Sequence, residues 1–174
     1  METPIRIRKS TIEDIPNILL IFESAREFMR LNNNRTQWNG NYPSESDVLK
    51  DISKGHSYVG IDFEGEIIMT FAFIKGDDPT YETIYEGKWL NNEEYGTIHR
   101  IASNGKARGV LKTACEYCFN ETDNIRIDTH KDNKPMLNAL DDLGFVKCGI
   151  ILCRDGSSRI AFQKIKEYNS WPNI

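Results

Sequence analysis

The sequence lacks long apolar runs and lacks an excess of positive charge. No apolar segment approaches the ~20 residues that a membrane-spanning helix needs. The 22 Lys and Arg residues stand against 26 Asp and Glu, for a net charge of −4. This balance argues against nucleic acid or an anionic membrane as the main partner. Met1-Glu2-Thr3-Pro4 shows no signal-peptide pattern, so we expect a cytoplasmic protein.

Cysteine and histidine are also scarce, with four and three residues. Cys115 and Cys118 form a C-x-x-C pair, a spacing found in zinc and redox sites. Both fall within a predicted helix, and no second C-x-x-C or histidine pair accompanies them. We therefore expect no metal, and reduced, partly buried thiols that pack as small hydrophobic side chains.

The 174 residues suffice for one domain with a sizeable core, and we predict a single domain over 1–174. Apolar periodicities near two and near 3.6 predict elements in the order β-α-α-β-β-β-α-β-α-β-β. This order is typical of an α/β fold with a mixed sheet. Segment 66–74 is nearly all apolar, which predicts a central strand covered on both faces.

The most informative segment is 97–118, where a strand pattern changes to a helix pattern across a short polar loop. A helix that begins in this way presents backbone N–H groups and the positive end of its dipole to an anion. Lys106, Arg108 and Lys112 add three cations near that point. The segment predicts a phosphate or pyrophosphate site, the alternative being an ordinary strand–helix connection with a solvated basic face. No Walker or Gly-x-Gly-x-x-Gly loop is present.

The same segment resembles the central motif of the GNAT family of acetyl-CoA-dependent N-acetyltransferases, through His99-Arg100-Ile101-Ala102 and then Arg108-Gly109. The blocks 125–133 and 143–145 resemble the family's next strand, its Asn-started helix and the Gly-Phe that ends it. The resemblance covers roughly the whole chain. It implies a mixed, mostly antiparallel sheet of about seven strands with about four helices, and acetyl-CoA as cosubstrate.

The resemblance also implies the residues that bind the cosubstrate. In the family, backbone N–H groups of the central loop hold the pyrophosphate of coenzyme A, the strand before it pairs with the pantetheine arm, and an Asn contacts that arm. The matching residues are Ile101, Ala102, Ser103, Gly105, Lys106, Ala107, Arg108, Gly109, Val110, Leu111, Lys112, Asn133 and Met136. Two later glycines of the family motif are replaced here by Leu111 and Thr113. The bulk of Leu111 is expected to crowd the diphosphate, and Gly105 and Gly109 to supply the conformational freedom.

Acetylation requires an unprotonated amine, because an ammonium group of pKa about 10 has no lone pair. We predict Asp128 as the base, since some relatives that resemble this chain carry Glu at its position. His99 and His130 are rival bases. The alternative for Asp128 is a structural pair with a neighbouring Arg or His.

The acceptor is expected beside segment 35–43, which in the resembled family lies over the acceptor site. Trp38, Tyr42 and Arg100 are predicted to contact it, the alternative for both aromatics being core packing. The long segment 76–95 contains acids that would attract a cationic amine, or is a solvated insertion.

These features predict an acetyl-CoA-dependent N-acetyltransferase that moves an acetyl group to a primary amine of a small molecule or peptide by direct attack in a ternary complex. A homodimer is compatible with the sequence. The rival interpretations are a non-catalytic acyl-CoA-binding sensor and a protein-interaction domain on the same fold. The tyrosine acid of relatives falls at Leu140, so Tyr95, Tyr117 or water would replace it.

Overall fold

The computed structural model describes residues 4–167, which form one seven-stranded sheet with helices on both faces. The elements follow the predicted order: β1 (Arg6–Lys9), α1 (Ile15–Leu31), α2 (Glu45–Ser53), β2 (Ser57–Ile61), β3 (Ile67–Lys75), β4 (Gly96–Ser103), α3 (Val110–Cys118), β5 (Asn124–Thr129), α4 (Lys134–Asp142), β6 (Val146–Leu152) and β7 (Ser158–Ile165). Two of the four α-helices begin with a side-chain cap. Ser44 caps α2 through Asp47, and Asn133 caps α4 through the Met136 N–H.

The strands lie in the order β1-β2-β3-β4-β5-β7-β6, and all neighbours are antiparallel except β4 and β5. The predicted mixed, mostly antiparallel sheet is confirmed. The parallel pairing of β4 with β5 comprises only two residue pairs, Gly96 with Ile125 and Thr97 with Arg126. Beyond them β4 continues along β3 and β5 continues along β7. The sheet therefore opens between residues 99–103 and 127–129.

A β-bulge in β4 lies at this opening. Thr70 pairs with Ala102 while Ala72 pairs with His99, so β4 holds one residue more than β3 over this stretch. Arg100 adopts φ +51°, a region that residues other than Gly rarely enter. Bulges commonly re-aim side chains next to active sites.

Two hydrophobic clusters cover the two faces of the sheet. The larger packs α3 and α4 on the central strands and includes Leu111 and Leu140, which are 6% and 0% exposed. The smaller packs α1 and α2 on the other face. The expectation that Leu111 crowds the diphosphate is wrong, because its side chain points into this core as the first buried residue of α3.

The predicted packing of the thiols is confirmed. Cys115 and Cys118 belong to the larger cluster, and the four cysteines are free. Burial raises the pKa of Cys115 to about 12 and that of Cys118 still further. Burial also raises the pKa values of Cys148 and Cys153.

Segment 76–95 is largely exposed but is anchored to the sheet by buried side chains. Tyr81 and Tyr95 are 2% and 6% exposed and pack with Ile151 and Ala161 in a third cluster. The buried amides of Asn124 and Gln163 bind the side chain of Asn91, so the segment is joined to β5 and β7 by neutral hydrogen bonds. No helix among residues 4–167 is both long and apolar enough to cross a membrane.

Candidate active site

The candidate active site lies where β4 and β5 separate, on the face that segment 76–95 covers. In a strand, alternate side chains share a face, and Arg126 and Asp128 of β5 both contact this segment. His99 of β4 contacts it as well, through Asp78. The opening therefore brings together two of the three predicted bases.

Asp128 is held by a buried tyrosine. The hydroxyl of Tyr81 donates a hydrogen bond of 2.6 Å to Oδ1 of Asp128, which is half-buried. Burial, with the negative charge of Asp128 beside it, raises the pKa of Tyr81 well above 10. The phenol thus remains protonated and donates to the carboxylate at any working pH. This partner is neither of the residue types expected for a structural pair.

His99 has a carboxylate partner of its own. Its Nε2 lies 2.8 Å from Oδ2 of Asp78, whose Oδ1 accepts from the backbone N–H and hydroxyl of Thr80. Burial opposes ionisation of Asp78, but the bonds from His99 and Thr80 outweigh it and lower its pKa to about 2. Because an ionised carboxylate only accepts, Nε2 of His99 donates to Asp78, and Nδ1 is the ring nitrogen left to accept a proton.

The two pairs are neighbours. The ring centroids of Tyr81 and His99 are 6.3 Å apart, so Asp128-Tyr81 and His99-Asp78 form one polar group, which we call the base cluster. Tyr95 supports it, because its hydroxyl accepts the backbone N–H of Asp78 at 2.8 Å.

His130 lies apart from the base cluster. Its Nδ1 accepts the backbone N–H of Asp132 at 3.1 Å, and its Nε2 lies 3.3 Å from the hydroxyl of Thr36. Burial and the nearby cation of Arg159 lower its pKa. Both ring nitrogens thus have protein partners, which makes His130 the weaker candidate for the base.

The predicted acceptor residues form a chain of contacts above the bulge. Arg100 binds Asp51 through two hydrogen bonds of 2.9 and 2.8 Å, and its Nη1 lies 3.4 Å from the hydroxyl of Tyr42. Trp38 contacts Tyr42 edge-on and packs against Phe22 of α1. Trp38 thus serves the core, whereas Tyr42 is 41% exposed.

The loop between β4 and α3 forms the other wall of the opening. Gly109 adopts φ +70° and precedes α3 without a side-chain cap, so the first N–H groups of the helix face outward. Arg108 is exposed beside them, and Lys106 forms an ion pair with Glu66. This uncapped, cationic helix start fits a diphosphate group.

Asn133 and Met136 lie at the start of α4. The side chain of Asn133 accepts the N–H of Met136 and donates to Oε1 of Gln37 at 3.0 Å. Asn133 is 8% exposed, and Met136 packs against the larger cluster. The segment that contains Gln37 therefore lies against the end of β5 and the start of α4. The contact of Asn133 with a pantetheine arm stays a prediction.

Comparison with known proteins agrees with this geometry. No protein-family model matches the chain, and none of the curated proteins does. A GNAT-family acetyltransferase structure from Streptococcus agalactiae 2603 is 34% identical, with a TM-score of 0.85, over 97% of this chain and 99% of that chain. The chain belongs to the GNAT family of acetyltransferases.

More distant GNAT-like structures share the fold. An acetyltransferase from Listeria monocytogenes 4b F2365 is 18% identical, with a TM-score of 0.64, over 92% of this chain and 94% of that chain. The ribosomal-protein-S18-alanine N-acetyltransferase from Escherichia coli is 12% identical, with a TM-score of 0.61, over 98% and 100%.

Two residues of this GNAT site were missed by sequence reasoning. Asp78 and Tyr81 lie in a segment without a clear period, so no pattern assigned them a face. The available signal was Asp78 followed by Pro79 and Thr80, which starts the short 3₁₀ helix Pro79–Tyr81. Among the tyrosines considered as acids, Tyr95 adjoins the base cluster, whereas Tyr117 packs on Tyr58 and Phe71 in the α3–α4 core.

Proposed function

We propose that this GNAT protein is an acetyl-CoA-dependent N-acetyltransferase that transfers the acetyl group to a primary amine by direct attack in a ternary complex. The observation that carries the proposal is the base cluster at the point where β4 and β5 separate. Strand β4, which carries His99 of this cluster, leads on to an uncapped helix start that fits a diphosphate. Acetyl-CoA, when bound, supplies the activated acetyl thioester.

The chain's own residues supply binding, orientation and proton acceptance. The loop 103–109 and the first N–H groups of α3 hold the diphosphate through backbone dipoles and the charge of Arg108. Most of the acceleration then comes from holding the two reactants in the opening of the sheet.

Asp128 accepts the proton of the ammonium group, directly or through one water. Its Oδ1 accepts from Tyr81, so the hydrogen bond fixes the orientation of the carboxylate and leaves Oδ2 to accept the proton. His99, with its lone pair on Nδ1 and Asp78 behind it, is the second acceptor on the same face. A proton that leaves the amine thus has two positioned acceptors.

The test is acetylation of a panel of small amines and short peptides with acetyl-CoA, comparing Asp128→Asn with the wild type. Loss of a general base lowers turnover by about 10²–10⁴-fold. Part of the rate should return at high pH, where free amine is abundant. Affinity for coenzyme A should barely change, since Asp128 lies away from the helix start.

Two controls make the result specific. Asp142→Asn removes an exposed carboxylate on α4 and should leave turnover unchanged. The turnover of His99→Gln measures how much of the rate depends on His99 as the second proton acceptor. Unchanged turnover in Asp128→Asn would assign the role of general base to His99. A wild type that binds acetyl-CoA yet acetylates no amine would support a non-catalytic acyl-CoA-binding sensor.

A further inference from the structure

Arg159 is a buried cation that forms no direct ion pair among residues 4–167. Exposed Asp155 is linked to it only through the hydroxyl of Ser157, which accepts from Arg159 and donates to Asp155. Arg159 is 9% exposed, and its Nη1 donates to the hydroxyl of Ser157 and the carbonyl of Ser158. Its Nη2 has one long bond of 3.4 Å to the carbonyl of Gln37. Within residues 4–167 no carboxylate forms an ion pair with it. A buried charge is costly unless it is paired, so this arrangement needs an explanation.

Three other arginines of the fold each have a compensating partner. Arg100 is bound to Asp51, and Arg8 on β1 is bound to Asp14. Arg126 lies between the rings of Trp89 and Tyr95, 4.1 and 3.9 Å from their centroids, where cation–π attraction stabilises it. Within residues 4–167 Arg159 has no aromatic ring over it and no direct ion pair, and the charge of Asp155 reaches it only across the Ser157 hydroxyl.

The fold places Arg159 on the face of the base cluster. Asp128 on β5 pairs with Ala161 on β7, and Arg159 lies two residues before Ala161 on the same strand face. Such diagonal neighbours have Cα atoms about 7–8 Å apart. The two charged groups form no ion pair with each other. Both charges act on the thiol of Cys153. Burial raises the pKa of this thiol, Arg159 lowers it and Asp128 raises it.

The free edge of Arg159 has the geometry for a carboxylate. Nε makes no hydrogen bond within residues 4–167, and Nη2 makes only the long one to Gln37. In Arg100 the same two atoms, Nε and Nη2, hold Asp51 in a bidentate pair. A carboxylate brought by a ligand would find the equivalent edge of Arg159 uncommitted.

We propose that Arg159 binds the carboxylate of the acceptor, and that the acceptor is a free amino acid, whose amine and carboxylate are a few bonds apart. The proposal rests on the proposed acetyl transfer. The acceptor's ammonium group lies toward Asp128 and its carboxylate toward Arg159, which matches the order of charges on this face. A lysine side chain of a protein offers no carboxylate at that distance and would leave Arg159 buried and unpaired.

The experiment compares the common L-amino acids with their primary amides as acceptors, using wild type, Arg159→Gln and Arg159→Lys. Wild type should prefer acid over matched amide in kcat/KM by about 10–100-fold, the scale of a hydrogen-bonded charge. Arg159→Gln should abolish that preference while keeping its residual activity on amides. Arg159→Lys should keep only part of it, because a point charge replaces the planar fork.

The acid-to-amide ratio is independent of the fraction of folded enzyme, so it remains informative if Arg159→Gln lowers the melting temperature. Arg154→Gln, an exposed change on the same β6–β7 hairpin, should leave the ratio unchanged. Equal rates on acids and amides in the wild type, or a ratio that Arg159→Gln does not alter, would overturn the proposal.

If no amine is acetylated, the proposed acetyl transfer fails, and calorimetric titration of the same amino acids into the protein with coenzyme A decides the carboxylate site. Binding that Arg159→Gln abolishes and Arg154→Gln preserves would support the site without the reaction. Absence of amino-acid binding to the wild type would overturn it.

Discussion

Asp78→Asn should cost stability in a pH-dependent way, because the folded protein holds this carboxylate ionised. The pKa of Asp78 falls from its ordinary 3.8 to about 2, chiefly through His99 and Thr80 working against burial. At 1.36 kcal/mol per pH unit, and allowing for the 19% exposure of the side chain, the stabilisation is about 2 kcal/mol. For a domain of this size, that corresponds to a fall of roughly 4–8 °C in Tm.

The sign follows from the direction of the shift. A carboxyl whose pKa is depressed by folding stabilises the protein fully above its unfolded value and loses this contribution as the pH falls toward the folded value. The destabilisation of Asp78→Asn should therefore be complete at pH 7 and 5, and about half as large at pH 3.

Urea unfolding followed by tryptophan fluorescence at these three pH values measures the effect. Asp77→Asn is the matched control, since it removes an exposed carboxylate one residue away. A cost for Asp78→Asn that is the same at pH 3 and pH 7, or no greater than that of Asp77→Asn, would show that the His99 pair does not stabilise the ionised form.

Two further predictions concern the cosubstrate wall and the position of the missing tyrosine. Arg108→Glu should raise the Kd for coenzyme A roughly tenfold or more in calorimetry at low salt, because a reversed charge opposes the diphosphate at the helix start. The control Lys75→Glu should have little effect on this Kd. Equal effects of the two substitutions would show that the loop is not part of the binding site. Leu140→Tyr should lower the free energy of unfolding in urea by about 1–3 kcal/mol and bring no gain in turnover, because Leu140 is fully buried. Leu140→Met should be tolerated. A faster enzyme with Tyr at this position would contradict its placement in the core.

Periodicity predicted the sheet and helices because most elements here are long enough to show a clear alternation. The same patterns could not show that Leu111 points inward, since a motif match gives a position in the loop and not the direction of a side chain. Asp128 was predicted from the family resemblance, because some relatives carry Glu at its position on this strand. Its partner Tyr81 lies 47 residues earlier in an irregular segment, and only packing brings the two together.

Arg159 illustrates the same limit. In the sequence it is one cation in a hairpin strand of alternating pattern, as unremarkable as Arg154. Its burial depends on Gln37, which lies 122 residues away, and on the hairpin turn that brings Ser157 beside it. Long-range contacts of this kind decide which charges of a sequence become part of a site.

The four buried or half-buried thiols affect how the protein can be assayed. Thiolates, not thiols, react with disulfide reagents, and burial raises the pKa of every cysteine in the chain. At neutral pH the protein should therefore consume such reagents slowly. Free coenzyme A, with an accessible thiol, reacts fast by comparison, so a colorimetric thiol readout would follow product formation with little background from the enzyme.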